Sequence, residues 1–418
     1  MSIAVNTDWE VRTTGSPTNG GGFKDLNPGT SVDYSQQDSA QLALTDIASN
    51  GAGTGIYSAT GGFTAAMEGN VCYISGTGFT TGWYQIVGYT DTNNITIDRS
   101  CGASATGGTC NIGGAWDLDA TLWTTFFNTT NKSNYNVLHV AAGTYSSLGS
   151  SVLTIGASYL RIFGYNSTRN DCPEGTNRPL IDLGNTAAYI NWTGGYGRVE
   201  FIRIDNTYSS SNLTAMFASG LSFVMRGCKI SRSGYSGATA FAPSSTHAKI
   251  FQSEFICTGG TALKLANYGM IVQHCWAHDS SYGIMYSGAG SYSSILNHCI
   301  VSNCSTTGIS LVYGSHVGNC VVYSCGTGVT FSTQTSCSII NTIIQDCTTG
   351  LTAAEHCYDD NNILYNNTTQ RSGGNVAGPN SLTSNPLLTD PSNDDFTLAA
   401  TSPAFNAGIK LGSAVGLP

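Results

Sequence analysis

Between residues 228 and 362 the apolar and polar positions repeat as one short unit. Aligned copies run Gly227-Cys228-Lys229-Ile230, Ser253-Glu254-Phe255-Ile256, His274-Cys275-Trp276-Ala277, His298-Cys299-Ile300-Val301, Asn319-Cys320-Val321-Val322, Asn341-Thr342-Ile343-Ile344 and Asn361-Asn362-Ile363-Leu364. A second apolar position follows each copy, at Leu263, Ile284, Ile309, Val329 and Leu351. A third precedes it, at Phe251, Val272, Leu296, Val317 and Ile339. Gly283, Gly308, Gly328 and Gly350 lie 25, 20 and 22 residues apart, a period of about 22. The apolar runs are short, β-branched or alternating, and Gly, Ser, Thr, Asn and Asp separate them, which favours strands and turns over helix. Three strands per repeat, stacked about 4.8 Å apart, predict a parallel β-helix, right-handed because parallel crossovers almost always are. Like residues then fall into columns. Cys228, Cys275, Cys299 and Cys320 form one, with Glu254, Thr342 and Asn362 as its odd members. Ser253, His274, His298, Asn319, Asn341 and Asn361 form a polar column beside it, at a turn.

Along the chain, residues 1–32 are polar and Gly-rich and read as an extended attachment arm anchored by Trp9 and Phe23. Residues 33–134 read as a small antiparallel β module with short helices, acting as cap or attachment. One helix is expected over 33–50 behind an acidic cap, and another around 118–127. The strands are expected at 56–58, 71–74, 83–87 and 95–97, with a hairpin turn at residues 91–94. Residues 135–370 supply about ten rungs. Residues 371–418 carry Pro386, Pro391 and Pro403, which forbid further rung pairing, and form a C-terminal cap or tail. The fold class is therefore all-β.

Composition sharpens this picture. Only 10% of the 418 residues are charged, against a usual share of about 25%, as suits many turns and uncharged faces. The net charge of −9 argues against a nucleic-acid partner, and no apolar run is long enough to span a membrane. The N-terminus has neither a basic n-region nor an apolar h-region, so no signal peptide is expected. The 14 cysteines read as reduced, buried side chains of the coil. Cys101 and Cys110, in a Gly-rich loop, are the pair best placed for a disulfide.

Candidate chemistry is sparse. The acids Glu254, Asp279 and Asp346 are the catalytic candidates for polysaccharide cleavage. Asp279 and Asp346 fall three rungs apart, about 14 Å, beyond the roughly 5–9.5 Å of a glycosidase pair. Asp359-Asp360 is expected to be a turn. Glu254 in the cysteine column is either turned outward by a bulge or a buried carboxyl. His274, Cys275, His298 and Cys299 stand on adjacent rungs, but neighbouring strand residues face opposite ways and cannot converge on a metal. No metal and no cofactor is expected. Trp276, Tyr282, Tyr286 and Tyr313 are candidates for stacking on glycan rings, with ordinary packing as the alternative.

Three resemblances follow from these stretches. Residues 137–145 with the 228–362 repeat resemble the pectin-lyase-like right-handed β-helix superfamily. Asn385-Pro386-Leu387, Asp390-Pro391, Asp395-Phe396-Thr397-Leu398 and Ser402-Pro403-Ala404-Phe405-Asn406-Ala407-Gly408 resemble the ending of right-handed β-helix repeat proteins. Trp9-Glu10-Val11-Arg12-Thr13-Thr14-Gly15 and residues 33–48 and 59–67 resemble N-terminal modules of tailed-phage structural proteins. The resemblance implies a non-enzymatic virion protein: a spike, fibre or capsid-attached decoration. It would be made in the host cytoplasm and exposed outside the cell, as a homotrimer, bound to other virion proteins through its N-terminal region and facing host surface polysaccharide. A polysaccharide lyase or hydrolase and a bacterial cell-surface adhesin are the alternatives.

Overall fold

The computed structural model describes residues 6–117, 135–146, 152–210, 212–287, 293–312, 314–331, 336–353 and 357–408. The chain is an all-β, right-handed β-helix solenoid of about nine turns, against the ten expected, with a small antiparallel barrel-like N-terminal module. Among the described residues the only helical segments are single 3-10 turns. Two compact units divide it: residues 1–183 with 193–203, and residues 184–192 with 204–418.

In the first unit the six strands Leu42–Ser49, Gly55–Ser58, Asn94–Ile97, Gly82–Asp91, Val71–Ser75 and Thr106–Ile112 close into a barrel, in that order. Leu44, Ile47, Ile56, Ile74, Tyr84, Ile86 and Ile112 fill its core. The helix expected over 33–50 is a strand instead. Asp33 does cap, accepting from the Ser35 amide at 3.0 Å, but the turn it starts stops at Gln36. Beyond it, the step of two between Leu42 and Leu44 is a strand period, and pairing with Thr106–Ile112 satisfies the backbone. The helix expected at 118–127 lies outside the described residues. Within the stretch expected as an extended attachment arm, Asp8–Val11 pairs in parallel with Val137–Ala141 as a first rung. Trp9 and Val11 are fully buried, and Trp9 stacks on Trp116 at 4.4 Å. The next strand, Arg161–Tyr165, continues the same parallel order.

In the second unit each rung contributes three strands, and in-register pairing builds columns. One inward column runs Ile250, Val272, Leu296, Val317, Ile339. Another runs Phe255, Ala277, Val301, Val322, Ile344, Leu364. A third runs Phe241, Leu263, Ile284, Ile309, Val329, Leu351. All of these side chains are buried. One-residue corners join the strands. His274, His298, Asn319, Asn341 and Asn361 each take a left-handed backbone, with φ of 53, 52, 52, 52 and 57°, a conformation that asparagine tolerates better than most residues. A second set, Asp279, Asn303, Ser324, Asp346 and Asn366, does the same at the next corner.

Cysteine fits beside these corners because it is small and buries cheaply. Cys228, Cys275, Cys299 and Cys320 are buried, and the Cys299 amide donates to Cys320 Sγ on the following rung at 3.5 Å. A second buried series lies past the other corner, at Cys257, Cys304, Cys325 and Cys347. Burial holds the thiols of Cys275 and Cys320 well above their ordinary value. No disulfide joins the described cysteines, Cys101 and Cys110 included. Cys110 Sγ has the buried Cys72 as its hydrogen-bonding neighbour.

The columns end in polar groups. Asp359 occupies the place after Ile339 and Arg371 the place after Leu351. Their side chains meet inside the last rung, Arg371 Nε to Asp359 Oδ2 at 2.7 Å, with the carboxylate fully buried. Asn362 and Asn375 donate to the same carboxylate at 2.7 and 2.8 Å. Residues 359–360 are thus strand and not turn. Asp359 points inward and Asp360 outward, accepting from the Asn380 amide at 2.9 Å. Removing one member of such a pair strands a buried charge, costing about 3–5 kcal/mol. Arg371→Ala should therefore lower the urea unfolding midpoint strongly, and Asp359→Leu combined with Arg371→Leu should recover most of the loss. A double variant as unstable as Arg371→Ala would show that the charge pairing is not what matters there.

Candidate functional site

On the outward face of the second unit, among the described residues, facing charges cluster beside the candidate aromatic Trp276. Register places them. Lys229, Glu254, Trp276, Ile300, Val321, Ile343 and Ile363 share one outward column. Glu254 is therefore not in the cysteine column. Ser253 stands there, hydrogen-bonded from the Cys228 amide at 3.2 Å, and Gln252, not Ser253, takes the left-handed corner. The similar size of Ser and Cys disguised the one-residue slip. Outward and half-buried, Glu254 Oε1 accepts from Lys229 Nζ at 2.6 Å and faces His278 Nε2 at 3.1 Å.

His278 lies two residues along its strand from Trp276 and so on the same face. The two rings stack at 3.7 Å. Its other nitrogen, Nδ1, faces Asp279 Oδ2 at 2.9 Å. An imidazole held between two carboxylates fills both contacts with N–H donors only when protonated. Burial works against the charged ring, yet the contacts with Glu254 and Asp279 carry its pKa above the ordinary 6.5. Burial also pushes the Glu254 carboxyl up, but hydrogen bonds from His278 and Lys229 outweigh it and bring it down to about 2. Glu254 is thus held as the carboxylate, and His278 is shifted toward its charged form by the two acids it faces.

The remaining candidates scatter. Asp279 and Asp346 stand at equivalent corners on rungs separated by two others, and each is bonded to the next rung by Asn303 and Asn366. Tyr282 lies in a strand paired with Thr261 and Thr307. Tyr286 is buried, and its hydroxyl finds no partner among the described residues. Tyr313 lies outside the described residues. Trp276 donates from Nε1 to Ser302 Oγ at 3.1 Å and meets Phe396 edge-on at 6.5 Å. Packing, rather than an open ring face, occupies it. His274 and His298 stack on each other at 4.9 Å at their corner, while Cys275 and Cys299 face inward. Among the described residues no three of His, Cys, Asp or Glu converge on a point where a metal ion would sit, and no helix is long and apolar enough to cross a membrane.

Sequence reasoning passed over Lys229 and His278, whose roles depend on register. It also passed over an exposed stack in the first unit, where Tyr159 lies 4.5 Å from Tyr135 and 4.8 Å from Tyr196, the rings nearly parallel. Spacings of 24 and 37 residues, from 135 to 159 to 196, hide that column.

The sequence family described as right handed beta helix region matches residues 181–317. No curated protein matches the chain. Among solved structures, pectate lyase Pel9A superposes with a TM-score of 0.50 at 10% identity, over 72% of this chain and 88% of that one. The catalytic domain of a GH87 α-1,3-glucanase gives 0.37 at 8% identity, over 82% and 85%. The Dettilon tailspike protein gives 0.35 at 12% identity, over 65% of each chain. At such identities the pectate lyase likeness establishes the fold alone.

The Lys229–Glu254–His278 cluster carries a pH signature. Glu254, depressed from 4.5 to about 2, stabilises the fold fully above about pH 4.5 and loses that effect as pH falls through about 2. His278, raised above 6.5, stabilises fully below about pH 6.5 and loses that effect as pH rises through its folded value. Urea unfolding midpoints should fall on raising the pH above about 6.5, and His278→Gln should flatten that fall. An equally steep fall in the variant would dissociate His278 from it.

Proposed function

We propose that the chain is a non-enzymatic structural protein of a tailed-phage virion, a spike, fibre or capsid-attached decoration, whose β-helix holds a surface toward host glycans. One observation carries this reading: Glu254, Asp279 and Asp346, the candidate acids of the second unit, are each committed to neighbouring side chains. Glu254 is shared by Lys229 and His278, Asp279 by His278 and Asn303, and Asp346 by Gln345 and Asn366. Glycoside cleavage needs one carboxyl that keeps its proton and a second group across an open site, and Glu254, brought down to about 2 by its partners, does not suit the first role. The resemblance of residues 9–15, 33–48 and 59–67 to phage modules supports the virion setting. The first unit is then the part that meets other virion proteins, and the assembly is a homotrimer.

A second reading, a polysaccharide-cleaving enzyme, draws on the fold likeness to a pectate lyase and on a lysine, a histidine and two acids meeting beside Trp276. Two measurements separate the readings. Mass spectrometry of purified particles should find the chain in the virion, and its absence from them would end the main reading. Incubation with capsular and cell-wall polysaccharides should release neither new reducing ends nor unsaturated uronate. Release that Glu254→Gln abolishes would establish the enzyme instead.

A further inference from the structure

The C-terminal segment folds back over the second unit and borders an open cavity of about 360 Å³, within the roughly 300–1,000 Å³ of small-molecule sites. One wall is apolar, formed by Val321, Ile343 and Ile363 of the outward column, with Phe396 and Leu398 from the terminal hairpin opposite. The other wall is the row of left-handed corners: His298, Asn319, Asn341 and Asn361. Their amides run in one direction. Asn341 Nδ2 donates to Asn319 Oδ1 at 3.2 Å, and Asn319 Nδ2 donates to Asn297 Oδ1 at 2.8 Å. Asn361 Nδ2 donates instead to the Ala407 carbonyl at 3.1 Å, tying the segment down. Its Oδ1 is buried without a hydrogen-bond partner among the described residues. A buried acceptor left unsatisfied costs about 1–3 kcal/mol, so a shift of the Asn361 amide that brought Oδ1 to a ligand hydroxyl would be favoured.

We propose that this cavity binds one uncharged sugar ring. The apolar wall suits the C–H face of a pyranose, and the amides offer donors and acceptors to its hydroxyls. Among the described residues no carboxylate, lysine or arginine lines the cavity, so an acidic sugar would be taken out of water with no counter-charge from them, which is unfavourable. The inference rests on the glycan-facing reading above only for the source of the sugar; the site itself is tested on the purified full chain, whether or not particles contain it.

Saturation-transfer NMR with glucose, galactose, mannose and N-acetylglucosamine at millimolar concentration should show transfer to at least one of them, and glucuronate should show none. Ala407→Leu, in a partly exposed position of the cavity wall, should weaken that binding at least about tenfold, or 1.4 kcal/mol, with an unchanged unfolding midpoint. Asn361→Gly keeps a residue at ease in the left-handed corner, removes the Oδ1 acceptor, and should weaken it similarly. Failure of all four neutral sugars to bind, equal binding of glucuronate, or binding untouched by both variants would each overturn the proposal.

Discussion

In-register parallel pairing is the constraint on which the second unit depends. Each residue lies beside its own counterpart on the next rung, about 4.8 Å away, so a column must be built from groups that accept copies of themselves. Valine and isoleucine do so by dispersion and by removing apolar surface from water. Cysteine does so as a small weak donor and acceptor, and asparagine as a donor and acceptor in one amide. A column of like charges would repel itself, which accounts for a chain with 10% charged residues. In the outward column of the second unit, the charges Lys229 and Glu254 on successive rungs are of opposite sign and pair at 2.6 Å.

The same constraint creates a difficulty at the last rung, because an interior column has no natural stopping point. Another apolar residue would present bare hydrocarbon and unpaired backbone to water. The chain instead changes chemistry inside the stack. Asp359 and Arg371 neutralise each other in two columns that are otherwise hydrocarbon. Asn362 and Asn367 accept from the amides of Thr342 and Cys347 at 2.8 and 2.9 Å. The covering segment can then attach through polar backbone contacts, such as the Gly378 amide to the Asp359 carbonyl at 2.6 Å.

The coil was legible in the sequence because self-compatible columns leave a period, and Cys275, Cys299 and Cys320 with Val272, Leu296 and Val317 displayed it without ambiguity. What stayed hidden depended on registration finer than the period. Glu254 was misplaced by one residue, since Ser253 can replace cysteine, and that slip concealed the contacts of Lys229 and His278. Asp8–Val11 read as part of an extended arm because its partner strand, Val137–Ala141, is more than a hundred residues away. Leu42–Ser49 was mistaken for helix because the Asp33 cap was real while the turn it starts is short. Of the cavity, only the asparagine row was visible. Its other wall comes from Phe396 and Leu398, whose sequence says nothing of where they fold back.

The left-handed corner has a further consequence for how such a chain can change. From His298 to Asn319 to Asn341 to Asn361 the corner has the same backbone geometry, and every strand that leaves it begins two residues later, at Ile300, Val321, Ile343 and Ile363. The stretch from one corner to the next is therefore self-contained. Its two ends present the same hydrogen-bonding groups and the same column chemistry. Recombination between corners would add or delete a whole layer while leaving the neighbouring seams matched, so length can vary in steps without any new interior having to be invented.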